Sequence, residues 1–292
     1  MDWTKGNCSR PDKRRVRESF DRAAATYDQA AALQRTIGER LLARLRPLPM
    51  RPGVVVDVGA GTGACLSPLA EHYARSTVVA LDIAEAMLRQ ARSKAGLAQP
   101  GRHFVCGDAE RLPLATSGVD LIFSNLAVQW CDHLGSAVRE FARALAPGGW
   151  LVFSTLGPGT LRELRASWSR VDGNSHVNAF QDAEQTAQVL TRAGFSDPEV
   201  SSEDVVWSYE DVFGLMRDLK SLGAHNVTHG RSRGLTGKRR IEAMREAYEQ
   251  YRHHGLLPAS YEVVYAHARR PERAPSWVAP RSMQYAGASE RG

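Results

Sequence analysis

Residues 54–63 read VVVDVGAGTG. A run of β-branched residues that dissolves into alternating glycines predicts a buried strand over Val54–Val58, a tight turn, and a helix over Thr62–Tyr73. Glycine at 59, 61 and 63 lets the backbone turn sharply and approach a ligand with no Cβ in the way. Outward from this loop, strand and helix alternate. Strands are predicted at Thr77–Leu81, His103–Cys106 and Asp120–Ser124, and helices at Ala84–Lys94 and His133–Leu145. Pro147, Gly148 and Gly149 then turn the chain into a strand at Trp150–Thr155. That order predicts an α/β fold with a doubly wound parallel sheet and helices on both faces. In such sheets ligands sit at the carboxyl ends of the strands.

The flanks are of a different kind. From Lys13 to Arg46 apolar residues (Val16, Phe20, Ala24, Leu33, Ile37, Leu41, Leu42, Leu45) recur every three or four positions, a helical pattern that Pro47 and Pro49 end. Beyond Thr155, helices are expected near 159–170, 183–193, 210–222 and 238–254, with strands near 197–207 and 260–268. The helical block from Tyr209 to Leu257 lies between two strand-like segments and reads as a cap inserted over the site. The organisation expected is a tail at 1–11, an N-terminal helical segment at 12–50, a core at 51–208, the cap at 209–257, a final core strand at 258–270 and a disordered tail at 271–292.

Composition narrows the class. The chain has 292 residues, about two domains' worth. Hydrophobic residues at 43% and charged residues at 24% exclude a disordered or fibrous chain. Lys and Arg (38) exceed Asp and Glu (32) by a scattered +6, which suits acidic partners without demanding nucleic acid. No apolar run approaches the ~20 residues that span a bilayer. The opening MDWTKGNCSRPDKRR has no apolar signal-peptide core, so the expected location is cytoplasmic. Cys8, Cys65, Cys106 and Cys131 lack CxxC spacing, and the nine histidines show no metal spacing, so neither a metal site nor a disulfide framework is expected.

The loop alone is ambiguous, because Gly59-Ala60-Gly61-Thr62-Gly63-Ala64 also satisfies a loose dinucleotide fingerprint. Three acids bear on the choice between NAD and an adenosyl ligand. Asp57 at the strand end can face an ammonium group and would repel a pyrophosphate. Asp82 ends the second strand and can accept from both hydroxyls of a ribose, a role common to both ligands. Asp108 follows the third strand in Gly107-Asp108-Ala109-Glu110, where its carboxylate can take an adenine amino group while the Ala109 N–H meets a ring nitrogen. Three acids around one pocket suit a cationic ligand with an amino-acid end.

The segments VDVGAGTG, ALDIAEAML, CGDAERLPL, SGVDLIFSNLAVQW and LAPGGWLVFST, in order over about 54–156, resemble the class I S-adenosylmethionine-dependent methyltransferases, which implies a Rossmann-like sheet and S-adenosyl-L-methionine as cofactor. FDRAAATYDQAAALQR, SNLAVQW, DLKSLGAHNVTHGRSRGLTGKRR and LPASYEVVYAHAR are similar to the malonyl-acyl-carrier-protein O-methyltransferase family of biotin synthesis, from about Val16 to Arg269. The resemblance implies methylation of the free carboxylate of a malonyl thioester, giving the ester that starts pimeloyl synthesis. The implied partner is an acidic acyl carrier protein bearing malonyl-phosphopantetheine, or malonyl-CoA, with neither nucleic acid nor membrane.

Residue roles follow from the same resemblance. Gly59 and Gly61 approach the methionine end, Asp82 holds the ribose, and Asp108 with Ala109 holds the adenine. Met87 packs on the adenine face, although its position equally reads as an amphipathic-helix core. Asn125 and Leu126 line the methyl-transfer side. Tyr27 lies on a lid-like N-terminal segment, facing the sulfonium or simply packed. Gln34 either reaches the methionine carboxylate or lies on an exposed helix face. Arg231, between Gly230 and Ser232, anchors the malonyl carboxylate, while Arg233, Lys238, Arg239 and Arg240 face the carrier or form a solvated basic surface. No general base is required, because a carboxyl of pKa ~4 is already ionised at pH 7. Readings left open are a methyltransferase for another small carboxylate or a quinone, an arginine-hydroxylating complex I assembly factor, and a non-catalytic adenosyl-binding regulator.

Overall fold

The computed structural model describes residues 12–95, 101–174, 176–223 and 237–272. Seven strands form one sheet: β1 (Val54–Val58), β2 (Thr77–Asp82), β3 (Arg102–Cys106), β4 (Val119–Asn125), β5 (Leu145–Leu156), β6 (Ser196–Tyr209) and β7 (Leu257–Arg269), in the order β3-β2-β1-β4-β5-β7-β6. The first five are mutually parallel, as their crossover order requires. β7 runs antiparallel to both β5 and β6. The sequence reading leaves the direction of β6 and β7 open, while the parallel pairing it expects holds for β1–β5. Val55, Val56, Leu121, Ile122, Phe123, Leu151, Val152 and Phe153 are all at 0% exposure, because helices cover both faces of the central strands.

Ten helices accompany the sheet among the described residues: α1 (Lys13–Ala23), α2 (Tyr27–Ala30), α3 (Ala32–Ala43), α4 (Leu66–His72), α5 (Glu85–Ala95), α6 (Leu134–Ala144), α7 (Arg162–Ser169), α8 (Ala183–Arg192), α9 (Val212–Ser221) and α10 (Lys238–Glu249). α6 shows why such helices form: Ala137, Val138, Phe141 and Ala144 recur on one face and are all buried. Side chains cap several N-termini. Asp182 and Gln185 form a capping box on α8, and Asp211 accepts from the Gly214 N–H to start α9.

Four boundaries differ from the sequence reading. The helical pattern over 13–46 breaks twice, after α1 and at Ala31, whose φ/ψ of −86°/26° leaves the helical region. Tertiary bonds from Asp21 and Asp28 to the core select the broken path (below). α4 starts at Leu66 rather than Thr62, since Gly61 and Gly63 hold the left-handed φ values 54° and 85°. β5 begins at Leu145, because Gly148 and Gly149 exchange backbone hydrogen bonds with Arg270 instead of turning away. α10 stops at Glu249, short of 254, ahead of left-handed His254 and Gly255. Between β6 and β7, α9 packs on α2 and β6, and α10 on α7. Among the described residues no helix is long and apolar enough to cross a membrane.

Candidate active site

The glycine loop is pinned to β2. Gly59 and Ala60 donate their N–H groups to the Leu81 carbonyl at 2.7 and 3.0 Å, and Gly61 donates to Asp82 Oδ2 at 2.9 Å. Gly59 (φ 75°) has no room for a side chain, since a Cβ there would lie 2.1 Å from that of Ala127. Gly61 (φ 54°) is the opposite case: a Cβ would meet nothing within 4 Å. Its backbone faces open space at the strand ends, as close approach of a ligand requires.

Asp57 and Asp82 both lie at these strand ends, 2% and 8% exposed. Asp82 Oδ1 accepts from the Ala84 N–H at 2.8 Å while Oδ2 holds Gly61. No hydrogen bond reaches the Asp57 carboxylate and no salt bridge reaches either acid among the described residues. Burial, then the Asp82 charge, raises the Asp57 pKa to about 8. Burial, opposed by the Ala84 and Gly61 N–H groups, raises Asp82 to about 6. Two buried acids with no cation beside them are costly unless a positive ligand completes them.

Asn125 ties three elements together. Its Nδ2 donates to the Gln34 carbonyl at 2.9 Å, and its Oδ1 accepts from Ser154 Oγ at 2.8 Å. Ser154 Oγ in turn accepts from the N–H of Leu126, held at φ 48° beside it. Gln34 and Leu126 line a cavity of about 360 Å³ whose wall also includes Tyr27, Gln129, Trp130 and Asn178. The Gln34 side-chain Oε1 is buried and has no partner among the described residues. An unpaired acceptor, two cation-free carboxylates and the open backbone at Gly61 together fit a ligand with a cationic amino-acid end.

The N-terminal segment is clasped over this region. Lys13 Nζ reaches Asp108 Oδ2 at 2.5 Å and Glu110 Oε2 at 2.6 Å. Asp21 accepts from the Ala86 N–H at 2.9 Å, and Asp28 accepts from Thr62 Oγ1 at 2.6 Å and pairs with Lys94. Tyr27 is half-buried on the cavity wall, its phenol pushed up by burial and then by the Asp82 and Asp28 charges, so it stays protonated. Met87 is 1% exposed and packs with Ala23, Ala24 and Ala84, against Phe20 and Tyr27.

The structure thus brings together Tyr27, Gln34, Asp57, Gly59, Gly61, Asp82, Asn125 and Leu126. Asp108 stands at the far edge of the loop cluster, beside Ala109, with Oδ2 on Lys13 and Oδ1 on the Glu110 N–H at 2.9 Å. Arg231, with Arg233, lies outside the described residues. Lys238, Arg239 and Arg240 are exposed on α10. The sequence reading missed Lys13, Asp28, Gln129, Trp130 and Asn178. Asp28, inside FDRAAATYDQAAALQR, and the Gln129-Trp130 pair, inside SNLAVQW, carried a signal that could have found them; Lys13 and Asn178 did not.

A glycine loop after the first of five parallel strands, with Asp57 next to the end of β1 and Asp82 ending β2, is the frame of a nucleotide-cofactor α/β domain. The two buried acids, without a cation among the described residues, favour a methyltransferase-type one. The family profile described as "Methyltransferase domain" matches residues 56–153. A solved structure of similar shape is the YcgJ protein of Bacillus subtilis, with TM-score 0.57, 16% identity, and coverage of 80% of this chain and 100% of that one. Two relatives are much nearer in sequence. The malonyl-[acyl-carrier protein] O-methyltransferase of Methylovorus sp. (strain MP688) is 47% identical over 266 residues, 89% of this chain and 90% of the relative. The enzyme of that name from Laribacter hongkongensis is 45% identical over 90% and 91% of the two chains. The chain belongs to the malonyl-[acyl-carrier protein] O-methyltransferase family.

Proposed function

We propose that the protein transfers a methyl group from S-adenosylmethionine to the free carboxylate of a malonyl thioester on acyl carrier protein, giving the malonyl methyl ester that primes pimeloyl synthesis for biotin. The observation that carries the reading is the pairing of two buried, cation-free acids with an apolar-walled cavity at the same strand ends, in a chain of this family. When bound, S-adenosylmethionine supplies a methyl already activated on a sulfonium. Asp57 faces the positive amino-acid end, Gln34 Oε1 accepts from its ammonium, and Asp82 takes the ribose hydroxyls. Ala109 and Asp108 hold the adenine, with Lys13 fixing the Asp108 carboxylate. Met87 closes the adenine side from beneath Phe20 and Tyr27.

No proton has to be removed from the acceptor, so the protein needs no general base. What it supplies is alignment, worth roughly 7–11 kcal/mol when oxygen, carbon and sulfur are held in line. Asn125 and Leu126 fix the wall of the transfer site, and the N-terminal clasp with Tyr27 and Trp130 keeps water out. Arg231 anchors the malonyl carboxylate by its planar fork. The exposed cations of α10 meet the acidic face of the carrier, with malonyl-CoA as a smaller substitute carrying the same thioester. The test is methyl transfer to malonyl-carrier protein and malonyl-CoA, read by product mass. A chain that binds the cofactor but esterifies neither would overturn the assignment of the acceptor.

A further inference from the structure

The cavity beside the strand ends holds a second polar group that the methyl-transfer reading leaves unused. Besides Gln34 Oε1, the Asn178 Oδ1 on its wall is buried with no hydrogen-bond partner among the described residues. The two acceptors come from different parts of the chain. Gln34 sits on α3 against Asn125, where the cofactor's amino-acid end is placed. Asn178 is carried by the connection between α7 and α8, far in sequence from every strand end.

That connection is built to hold Asn178 in place. Its main-chain carbonyl accepts from Arg165 Nη2 at 3.4 Å, and the same nitrogen reaches the Thr160 carbonyl at 3.3 Å. Two residues earlier, His176 stacks on Trp168 with ring centroids 3.8 Å apart, and its Nε2 lies 2.9 Å from Asp172 Oδ1. Val177 between them is buried. The wall of the same cavity includes Leu164, Trp168 and Phe180 together with the polar Gln129, Lys220 and Tyr261. A buried acceptor on a cavity wall is retained where something donates to it.

Resting on the malonyl thioester as acceptor, the chemistry of that donor is restricted. A malonyl group offers only carboxylate and thioester oxygens, which accept. The first donor along the substrate is the secondary amide N–H two carbons beyond the sulfur, in the pantetheine-type arm. We propose that Asn178 Oδ1 binds this amide N–H, so that the cavity reads the arm as well as the acid and passes over free malonate and simple malonyl esters. Both carrier protein and coenzyme A present this amide, and the site serves the chemistry they share.

The experiment compares two short substrates that differ by one atom: malonyl-N-acetylcysteamine, and its oxygen analogue in which the amide N–H is replaced by an ester oxygen. The wild type is expected to prefer the amide by at least about tenfold in kcat/KM, because a site made for an N–H leaves its acceptor unpaired against the analogue. Asn178→Leu, of similar volume, is expected to bring that preference close to one while still methylating the ester analogue; Asn178→Ala serves in its place if leucine disturbs folding. The same loss is expected on malonyl-carrier protein and malonyl-CoA, and the wild-type ratio between those two tells which source the site serves. A wild type without the amide preference, or an Asn178→Leu variant that keeps it, overturns the inference. A wild type that methylates no malonyl thioester at all refutes the activity itself, a result visible before any variant is made.

Discussion

Removing the Asp57 charge probes the centre of the pocket. The carboxyl is enclosed, and burial followed by the Asp82 charge lifts its pKa from 3.8 to about 8. Such a group is roughly nine-tenths protonated at pH 7. A cation docked beside it favours the carboxylate and expels the proton. Asp82, at about 6, is mostly ionised already and adds little. Binding of S-adenosylmethionine at pH 7 should therefore release about one proton. Calorimetry in buffers of different ionisation enthalpy reads that number directly, and Asp57→Asn should reduce it to about a tenth. The same group acts on stability with a definite sign. Between about pH 4 and pH 8 the folded chain keeps a proton that the unfolded chain has lost, so its contribution is fully present below the unfolded pKa and is lost as pH rises to about 8. The slope from this group is at most ~1.4 kcal/mol per pH unit. Without ligand, Asp57→Asn should unfold at a higher temperature than wild type at pH 8, with the gap closing towards pH 5, and yet bind the cofactor more weakly. If the wild type released no proton at pH 7, or Asp57→Asn released as many, the carboxyl does not face the ligand's charge and the reasoning fails.

Three further perturbations address other parts of the site. Asp82→Ala removes the acceptor that holds Gly61 and Ala84 and the ribose contact proposed for it, and should cost ~1.5–3 kcal/mol of cofactor affinity, about ten- to hundredfold; calorimetric affinity equal to wild type would clear Asp82 of that role. Lys13→Met severs the two Lys13 ion pairs of the clasp and leaves Asp28–Lys94, so amide exchange over the first helix of residues 13–35 should quicken without cofactor. Unchanged protection would mean that the Lys13 pairs do not hold that helix down. Reversing Arg239 and Arg240 to Glu should lower kcat/KM on malonyl-carrier protein, less so at high salt, and leave malonyl-CoA untouched; equal losses on both substrates would count against a docking role.

The central fold was legible because its signals are local. Val54–Val56 and Leu121–Phe123 are short apolar runs because the central strands are covered on both faces, and the glycines at 59, 61 and 63 mark the turn that follows β1. The breaks in the N-terminal helices were not legible. Residues 23–32 are rich in alanine and contain neither glycine nor proline, so local propensity favours continuing the helix. What stops it is distant: Thr62 and Lys94 draw Asp28, and the Ala86 N–H draws Asp21. The antiparallel β7 was hidden for a similar reason. Its direction depends on how the segment holding α9 and α10 returns the chain, and period-two alternation carries no information about direction.

For the site, the sequence located Asp57, Asp82 and Asp108 but not the partners of any acid, and the partners separate acids left free for a ligand from those held in structure. Asp28, Asp57, Asp82, Asp108 and Glu110 all sit near the strand ends and look alike in a string of letters. In the folded chain Asp28 has Lys94, while Asp108 and Glu110 share Lys13, which lies 95 residues before Asp108. Asp57 and Asp82 have no cation among the described residues, and burial raises both. A buried carboxylate without a counter-charge is destabilising by itself, so its retention points to a positive group that arrives from outside. The same logic applied to neutral groups picks out Gln34 and Asn178. Each is an acceptor with nothing to accept from among the described residues, and each lines one cavity; Gln34 could be singled out only by resemblance, and Asn178 not at all, until the wall was assembled from α3, α7, α9 and β7.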